Sequence, residues 1–178
     1  MRKTLILTLI ATLTTGSVCA IVCYIRADSF SFAWALNFLL MLCVLAFTQT
    51  LKSPLTSSYF NTKAWERGGK IYERFGTNFF RKLLVWIGWE KLVRKSNPIE
   101  KNTQALMDLH YQTKKSELDH LIILFIVLGF NVFVAFKFGF SRSLWLLVLN
   151  VILNLYPIFL QRYNRPRIER AINLSKRR

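Results

Sequence analysis

Both histidines of the chain, His110 and His120, fall in the stretch "DLHYQTKKSELDHLIILF" together with Thr113 and Glu117. At about 100° per residue, these four side chains lie within about 80° of one another on one helical face. Glu117 precedes His120 by close to one turn, a spacing at which a carboxylate can hold an imidazole and select its tautomer. A histidine so held is equipped to take a proton from a hydroxyl, a step worth about 10²–10⁴ in rate. The activated hydroxyl can attack an ester or thioester carbonyl, and the developing oxyanion then needs hydrogen-bond donors. No serine or cysteine is placed as a nucleophile beside the two rings.

A second group closes the chain, "NLYPIFLQRYNRPRIERAINLSKRR". The guanidinium forks of Arg162, Arg165 and Arg167 suit a phosphate or carboxylate, such as the anionic part of an acyl carrier or a lipid headgroup. Upstream, Asn150, Asn154, Pro157 and Gln161 follow four-, three- and four-residue steps, again one helical face. The histidine face continues through Leu124 and Leu128 to Asn131. Polar groups at membrane depth are costly and usually face protein or a wet cavity. On this reading His120 is a general base oriented by Glu117, and the three arginines hold an acyl donor. Thr113, Asn154 or an arginine supplies oxyanion donors, Tyr163 and Asn164 shape the site, and Asn131 with Asn154 lines a buried polar path. Each feature also has a plainer explanation. A Glu-x-x-His spacing is often a surface pair, and interhelical asparagines are worth about 0.6 kcal/mol on average. Terminal arginines commonly anchor topology.

The elements that must position these groups are membrane-like. The chain of 178 residues is 53% apolar and 19% charged, against about 25% charged in soluble domains. Its net charge of +16 does not indicate nucleic acid, because the basic residues alternate with apolar runs. Four runs cover Thr4 to Ile25, Phe30 to Leu51, Leu121 to Phe136 and Leu144 to Leu160. The first two reach the roughly 20 residues a span needs, and the last two reach it only by including polar ends. Of the 25 lysines and arginines, only Arg26, Lys137 and Arg142 fall on one side. The positive-inside rule then puts both termini and the central loop in the cytoplasm. Met1 to Ala20 has features of a signal peptide, but the apolar run continues past it, which favours an uncleaved span.

The expected organisation is all-α, with an N-terminal pair of spans over 1–51 and a basic, amphipathic helical region over 52–118. A transmembrane hairpin with a basic tail covers 119–178. "KSPLTSSYFNT" reads as a linker. "TNFFRKLLVWIGWEKLVRK" reads either as a helix in the membrane surface or as one packed on its own protein. Asn97-Pro98 ends that element, Asn102 or Thr103 caps the next, and helix runs unbroken from Thr103 into the third span. A hairpin turn near Phe140 brings His120 level with Gln161-Arg162 and Asn131 level with Asn150. Cys19, Cys23 and Cys43 are packing residues. No phosphate loop, zinc motif or nucleophile elbow occurs, and one Glu-x-x-His is too few for a di-iron site. Neither a metal nor a bound cofactor is expected.

Gln161-Arg162-Tyr163-Asn164-Arg165-Pro166-Arg167, with Asn154 upstream and a near-terminal Lys-Arg-Arg, resembles the glycosyl-4,4'-diaponeurosporenoate acyltransferase family. So do Thr113-Lys114, Glu117-Leu118 and His120 at the head of a span. The resemblance runs from about Trp65 onward; the second span departs from it, and His110 has no counterpart. It implies a bacterial membrane protein that esterifies a sugar hydroxyl of a glycosyl carotenoid with a fatty acyl chain. The partners implied are membrane lipid, a lipid-soluble glycoside acceptor and an acyl donor (acyl-CoA, acyl carrier protein or phospholipid) as co-substrate, alongside other pigment enzymes. The reading from another class is a non-catalytic scaffold whose basic face recruits anionic lipid or biosynthetic partners; it tolerates loss of His120, whereas an enzyme does not.

Overall fold

The structure, a computed structural model, describes residues 1–88 and 102–177. Its long elements are α1 (Arg2–Tyr24), α2 (Phe30–Leu51), α3 (Ile71–Arg74), α4 (Thr77–Trp86), α5 (Thr103–Phe138), α6 (Phe140–Asn150) and α7 (Tyr156–Ser175). A π-helical segment, Val151–Leu155, joins α6 to α7, and 3₁₀ turns occupy Ser58–Phe60 and Ala64–Gly69. Among the described residues there is no strand. Four helical stretches are long and apolar enough to cross a membrane: Arg2–Tyr24, Phe30–Leu51, Thr103–Phe138 and Phe140–Ser175. The expected all-α polytopic membrane fold is therefore present.

The last two spans look short in the sequence because each is the apolar middle of a helical stretch of 36 residues. Helical periodicity continues through the polar flanks, so composition ends the span before structure ends the helix. At its start α5 is capped as the sequence suggests, the Asn102 side chain accepting from the Gln104 N–H at 3.1 Å. At its end the whole turn is Gly139 at φ +93, a conformation that costs glycine little.

The chain forms two compact units, one of Met1–Pro54 with Leu118–Leu155 and the other of Leu55–Glu117 with Tyr156–Arg178. In the first, α1 and α2 are an antiparallel pair, with the Lys3 ammonium on the Leu51 carbonyl at 2.8 Å. The apolar core runs along α2 through Phe32, Leu36, Leu40 and Val44. Ile123, Val127 and Val134 of α5 and Leu146 of α6 complete it. These positions repeat every three or four residues, one stripe per helix. Arg26 and Arg142 both reach Asp28, at 3.2 and 3.3 Å, tying the α1–α2 turn to the start of α6. The hydrogen bond from Arg26 holds the Asp28 carboxyl below the usual carboxylate range.

The second unit gathers α3, α4, the first part of α5 and α7 around an aromatic group. Phe80 stacks on Tyr156 at 5.2 Å, and Tyr72 and Phe75 meet Phe159 at 5.4 and 5.6 Å. The segment read as a linker is ordered: Leu55 and Phe60 are buried. Helix α4 divides the two readings of its amphipathic pattern, since Thr77 and Phe80 are buried while Phe79, Val85 and Trp86 are exposed. Its expected continuation through Lys91, Arg94 and Lys95 to Asn97-Pro98 lies outside the described residues. The segment expected as one hairpin, 119–178, is shared between the units.

Candidate functional site

Each unit holds a buried polar cluster. In the second unit the cluster is ionic. Arg162 donates from Nε to Glu117 Oε1 at 2.6 Å, from Nη1 to Glu66 Oε1 at 2.6 Å and from Nη2 to the Tyr59 carbonyl at 3.0 Å. Arg165 donates to the other Glu117 oxygen, to the Phe60 carbonyl at 2.9 Å and to the Thr113 hydroxyl at 3.3 Å. Glu66 also accepts from the Tyr72 hydroxyl at 2.7 Å and the Lys63 N–H at 2.9 Å. Two guanidiniums thus face two carboxylates, and Arg165 and Glu117 are 2% and 0% exposed. Burying ions is tolerable only when each is paired and its remaining donors and acceptors are met, and here they are. Burial opposes the charge on Glu66, but the hydrogen bonds from Lys63, Tyr72 and Arg162 outweigh it and hold the carboxyl below its ordinary value. Burial and the Glu66 acceptor push the Tyr72 hydroxyl up; burial and the Glu117 charge do the same to Tyr59.

The local sequence explains how a loop delivers Glu66. Arg67, Gly68 and Gly69 all have positive φ. Gly69, at φ +88, would place a Cβ 2.9 Å from the Tyr163 carbonyl oxygen. Only glycine combines that backbone with that approach, which seats the Glu66 turn against α7.

In the first unit the cluster is neutral. Asn154 donates from Nδ2 to Asn37 Oδ1 at 2.8 Å and to Asn150 Oδ1 at 2.9 Å. Its Oδ1 faces His120 Nδ1 at 3.4 Å. The Leu153 carbonyl lies on the same stretch, one residue before Asn154. Pro157, four residues on, has no N–H to offer that carbonyl in a helical ladder. The π-helical Val151–Leu155 stretch, a form frequent at functional positions, carries Asn154 into the core.

The structure therefore changes the partnership read from spacing. Glu117 was expected to orient His120, but its carboxylate is occupied by Arg162 and Arg165, and the ring is met by Asn154. Arg162 and Arg165 were expected to hold the anionic part of a donor; their partners are protein carboxylates and carbonyls, because Glu66 and Glu117 supply two counterions at bonding distance. Thr113 is buried between the His110 carbonyl, to which it donates at 2.7 Å, and Arg165. Tyr163 is buried with its hydroxyl 3.4 Å from Asn78 Oδ1, and Asn164 is half-buried. Asn131 donates to the Ser143 carbonyl at 2.8 Å, near the hairpin turn and away from the His120 group. Arg167 is the exposed member of the arginine group, with Glu73 at 3.4 Å and its guanidinium stacked 3.6 Å over the Tyr163 ring. His110 meets Glu169 at 3.1 Å, which in turn accepts from Thr62 at 3.2 Å.

The register also shifts. Asn131 bonds position 143, Asn150 bonds Leu124 at 3.0 Å and His120 bonds Asn154. All three pairings are symmetric about Lys137 rather than about Phe140, although the turn itself falls at Gly139, beside the expected position. Among the described residues no group of acidic, histidine or cysteine side chains could hold a metal.

The family model described as Glycosyl-4,4'-diaponeurosporenoate acyltransferase matches residues 56–174. The chain belongs to this family. No curated protein and no solved structure matches it. Within this acyltransferase family member the matched region takes in His120, Asn154 and the whole ionic cluster, including Glu66, which sequence reasoning passed over. A usable signal for Glu66 existed: with nine acids against 25 lysines and arginines, each acid in a basic loop is a candidate counterion. Asn37, also passed over, lies outside the matched residues. Its signal is a lone amide in the otherwise apolar run "FAWALNFLLML".

Proposed function

We propose that this protein is a membrane acyltransferase that esterifies a sugar hydroxyl of a lipid-soluble glycoside, of the glycosyl carotenoid type, with a fatty acyl chain. Family membership supports the reaction class, and the neutral cluster around His120 supports the chemistry. The observation that carries the reading is the side-chain oxygen of Asn154 facing His120 Nδ1. That arrangement leaves Nε2 as the basic nitrogen, the form a general base requires.

In the proposed step, Nε2 of His120 removes the sugar hydroxyl proton as the hydroxyl oxygen attacks the acyl carbonyl carbon. The C–O ester bond forms, the bond from the acyl carbon to the leaving group breaks, and the imidazolium returns the proton to the departing thiolate or alkoxide. Asn154 is a positioning residue for the ring. The acyl donor is acyl-CoA, acyl carrier protein or phospholipid, and its anionic part is assigned to the exposed Arg167. Glu117, Arg162 and Arg165 then act through structure, holding the Tyr59–Phe60 turn and the Glu66 turn against α5 and α7. The site lies in the bacterial cytoplasmic membrane with both termini cytoplasmic, consistent with a donor made in the cytosol. Pigment or glycolipid enzymes that supply the acceptor are natural neighbours.

The test is lipid mass spectrometry on cells carrying the wild-type chain or His120→Ala. The expected result is an acylated glycoside with the first, and a rate lower by about 10²–10⁴ with the second at equal membrane abundance. Undiminished product from His120→Ala would remove His120 from the chemistry.

A further inference from the structure

Starting from its two backbone ends, the hydrogen-bond chain around Asn154 fixes the direction of every amide in it. A backbone carbonyl can only accept, so an amide group touching one must present its NH₂ there. Asn37 lies 2.8 Å from the Ala33 carbonyl, and Asn150 lies 3.0 Å from the Leu124 carbonyl. Both must point nitrogen at the backbone and oxygen at Asn154. Asn154 therefore meets two acceptors, at 2.8 and 2.9 Å, and must turn its own nitrogen to them. Its oxygen is left for His120 Nδ1. An oxygen acceptor at Nδ1 requires that this nitrogen carry the proton. Reversing any one amide would bring two oxygens or two NH₂ groups together in a buried site, at the cost of unmet polar groups.

We infer that Asn37 of α2 is a positioning residue, which through Asn154 holds His120 as the tautomer protonated at Nδ1 and bare at Nε2. This rests on His120 being the proton acceptor of the proposed reaction, and it extends the machinery beyond the family-matched segment, which starts at residue 56, into the second span. Asn37 is 1% exposed and Asn154 2% exposed, so solvent does not compete for these bonds. Two anchors from different helices set one amide, and one amide sets the ring.

The test is ¹⁵N NMR of the full-length protein, labelled at histidine and held in lipid nanodiscs. The two rings are assigned with His120→Gln. The expected wild-type pattern for His120 is one protonated and one unprotonated nitrogen, with the proton on Nδ1. Asn37→Leu keeps the branched shape and removes both bonds; it should give a mixture of tautomers and lower turnover about 10- to 100-fold, with KM little changed. Asn37→Ser restores the pattern in part, because a serine hydroxyl can donate to the carbonyl four residues back while accepting from Asn154. A wild-type His120 protonated at Nε2 or on both nitrogens would overturn the inference, as would an unchanged pattern in Asn37→Leu. If Asn37→Leu does not fold, the wild-type spectrum and Asn37→Ser decide. If the spectra behave as expected while His120→Ala retains activity, the catalytic assignment falls and the tautomer assignment stands.

Discussion

In the cluster of Arg162, Arg165, Glu66 and Glu117 the core partners are ions, whereas in the cluster of Asn37, Asn150, Asn154 and His120 they are neutral. In the ionic cluster every nitrogen of each guanidinium, and both oxygens of each carboxylate, already have a protein partner. The neutral cluster ends on a ring engaged through Nδ1. Polar burial of the first kind holds a fold in place and leaves little for a ligand, because displacing any member strands a charge. Burial of the second kind costs less to disturb and, on the proposed reading, sets the protonation of the His120 ring. If His120 is the proposed base, the comparison teaches that charge density is a poor guide to where chemistry happens in this chain.

The largest effect that would test this comparison is on stability. Glu117→Gln takes away one of two negative charges facing two buried guanidiniums, and breaking such a pair by removing one partner costs about 3–5 kcal/mol. Thermal unfolding in detergent should show a loss of that size for Glu117→Gln and a smaller one, about 2 kcal/mol, for Asn154→Leu, whose three bonds average about 0.6 kcal/mol each in membranes. Activity should reverse the order per unit of stability lost: Asn154→Leu is expected to lower turnover steeply in protein that still melts cooperatively. Equal melting losses for the two would erase the distinction.

Next in size is Gly69→Ala. A side chain there meets the Tyr163 carbonyl at 2.9 Å and sits at φ +88, so the Glu66 turn must move. The expected cost is about 1–3 kcal/mol, read in the same melt. Gly68→Ala provides the comparison, because a Cβ at Gly68 meets nothing within 4 Å and adds backbone strain alone.

Acid separates the clusters in a third way. The Glu66 carboxyl is held below its ordinary value. Its contribution is complete above that ordinary value, near pH 4.5, and is lost as the pH falls through the depressed folded value. Melting temperature should thus drop as buffers are taken below the ordinary carboxylate range. Glu66→Gln, which has no proton to gain, should start lower and show less of that acid-dependent fall.

How much of this was legible beforehand follows from which interactions are local. The four spans, the unbroken helix from Thr103 and the Asn102 cap were readable, since apolar length and capping chemistry depend only on neighbouring residues. Thr113, Glu117, Asn154, Arg162 and Arg165 could be picked out by residue type and helical face. Their partners could not, because the sequence does not say that a 3₁₀ turn at Ser58–Phe60 would lend two carbonyls, or that a glycine-built turn would bring in Glu66. Helical spacing placed Glu117 beside His120, but a carboxylate goes to the nearest unpaired guanidinium, and two were available. Asn37 was hidden for a related reason: in an apolar run, one amide registers as tolerance for polarity until its partner on another helix is known.

The smallest expected effect concerns Arg167, the arginine that shares the ionic cluster's sequence but not its burial. Its side chain is 43% exposed and its carboxylate partner, Glu73, lies at 3.4 Å. An exposed pair of that kind contributes roughly 0–1 kcal/mol, and stacking on Tyr163 adds about 0.5–1 kcal/mol, so Arg167→Ala, which also removes a bond to the Tyr163 carbonyl, should lower melting by only a few degrees. If this guanidinium receives the anionic part of the acyl donor, KM for the donor should rise severalfold with kcat retained. Raising salt should narrow the difference between variant and wild type, since an exposed charge is screened over about 8–10 Å. Glu73→Ala should act in the opposite direction, lowering the donor KM by removing the competing carboxylate. A donor KM indifferent to both substitutions would mean that Arg167 too has only a structural part, leaving the donor's anionic group to be met by residues other than this arginine cluster.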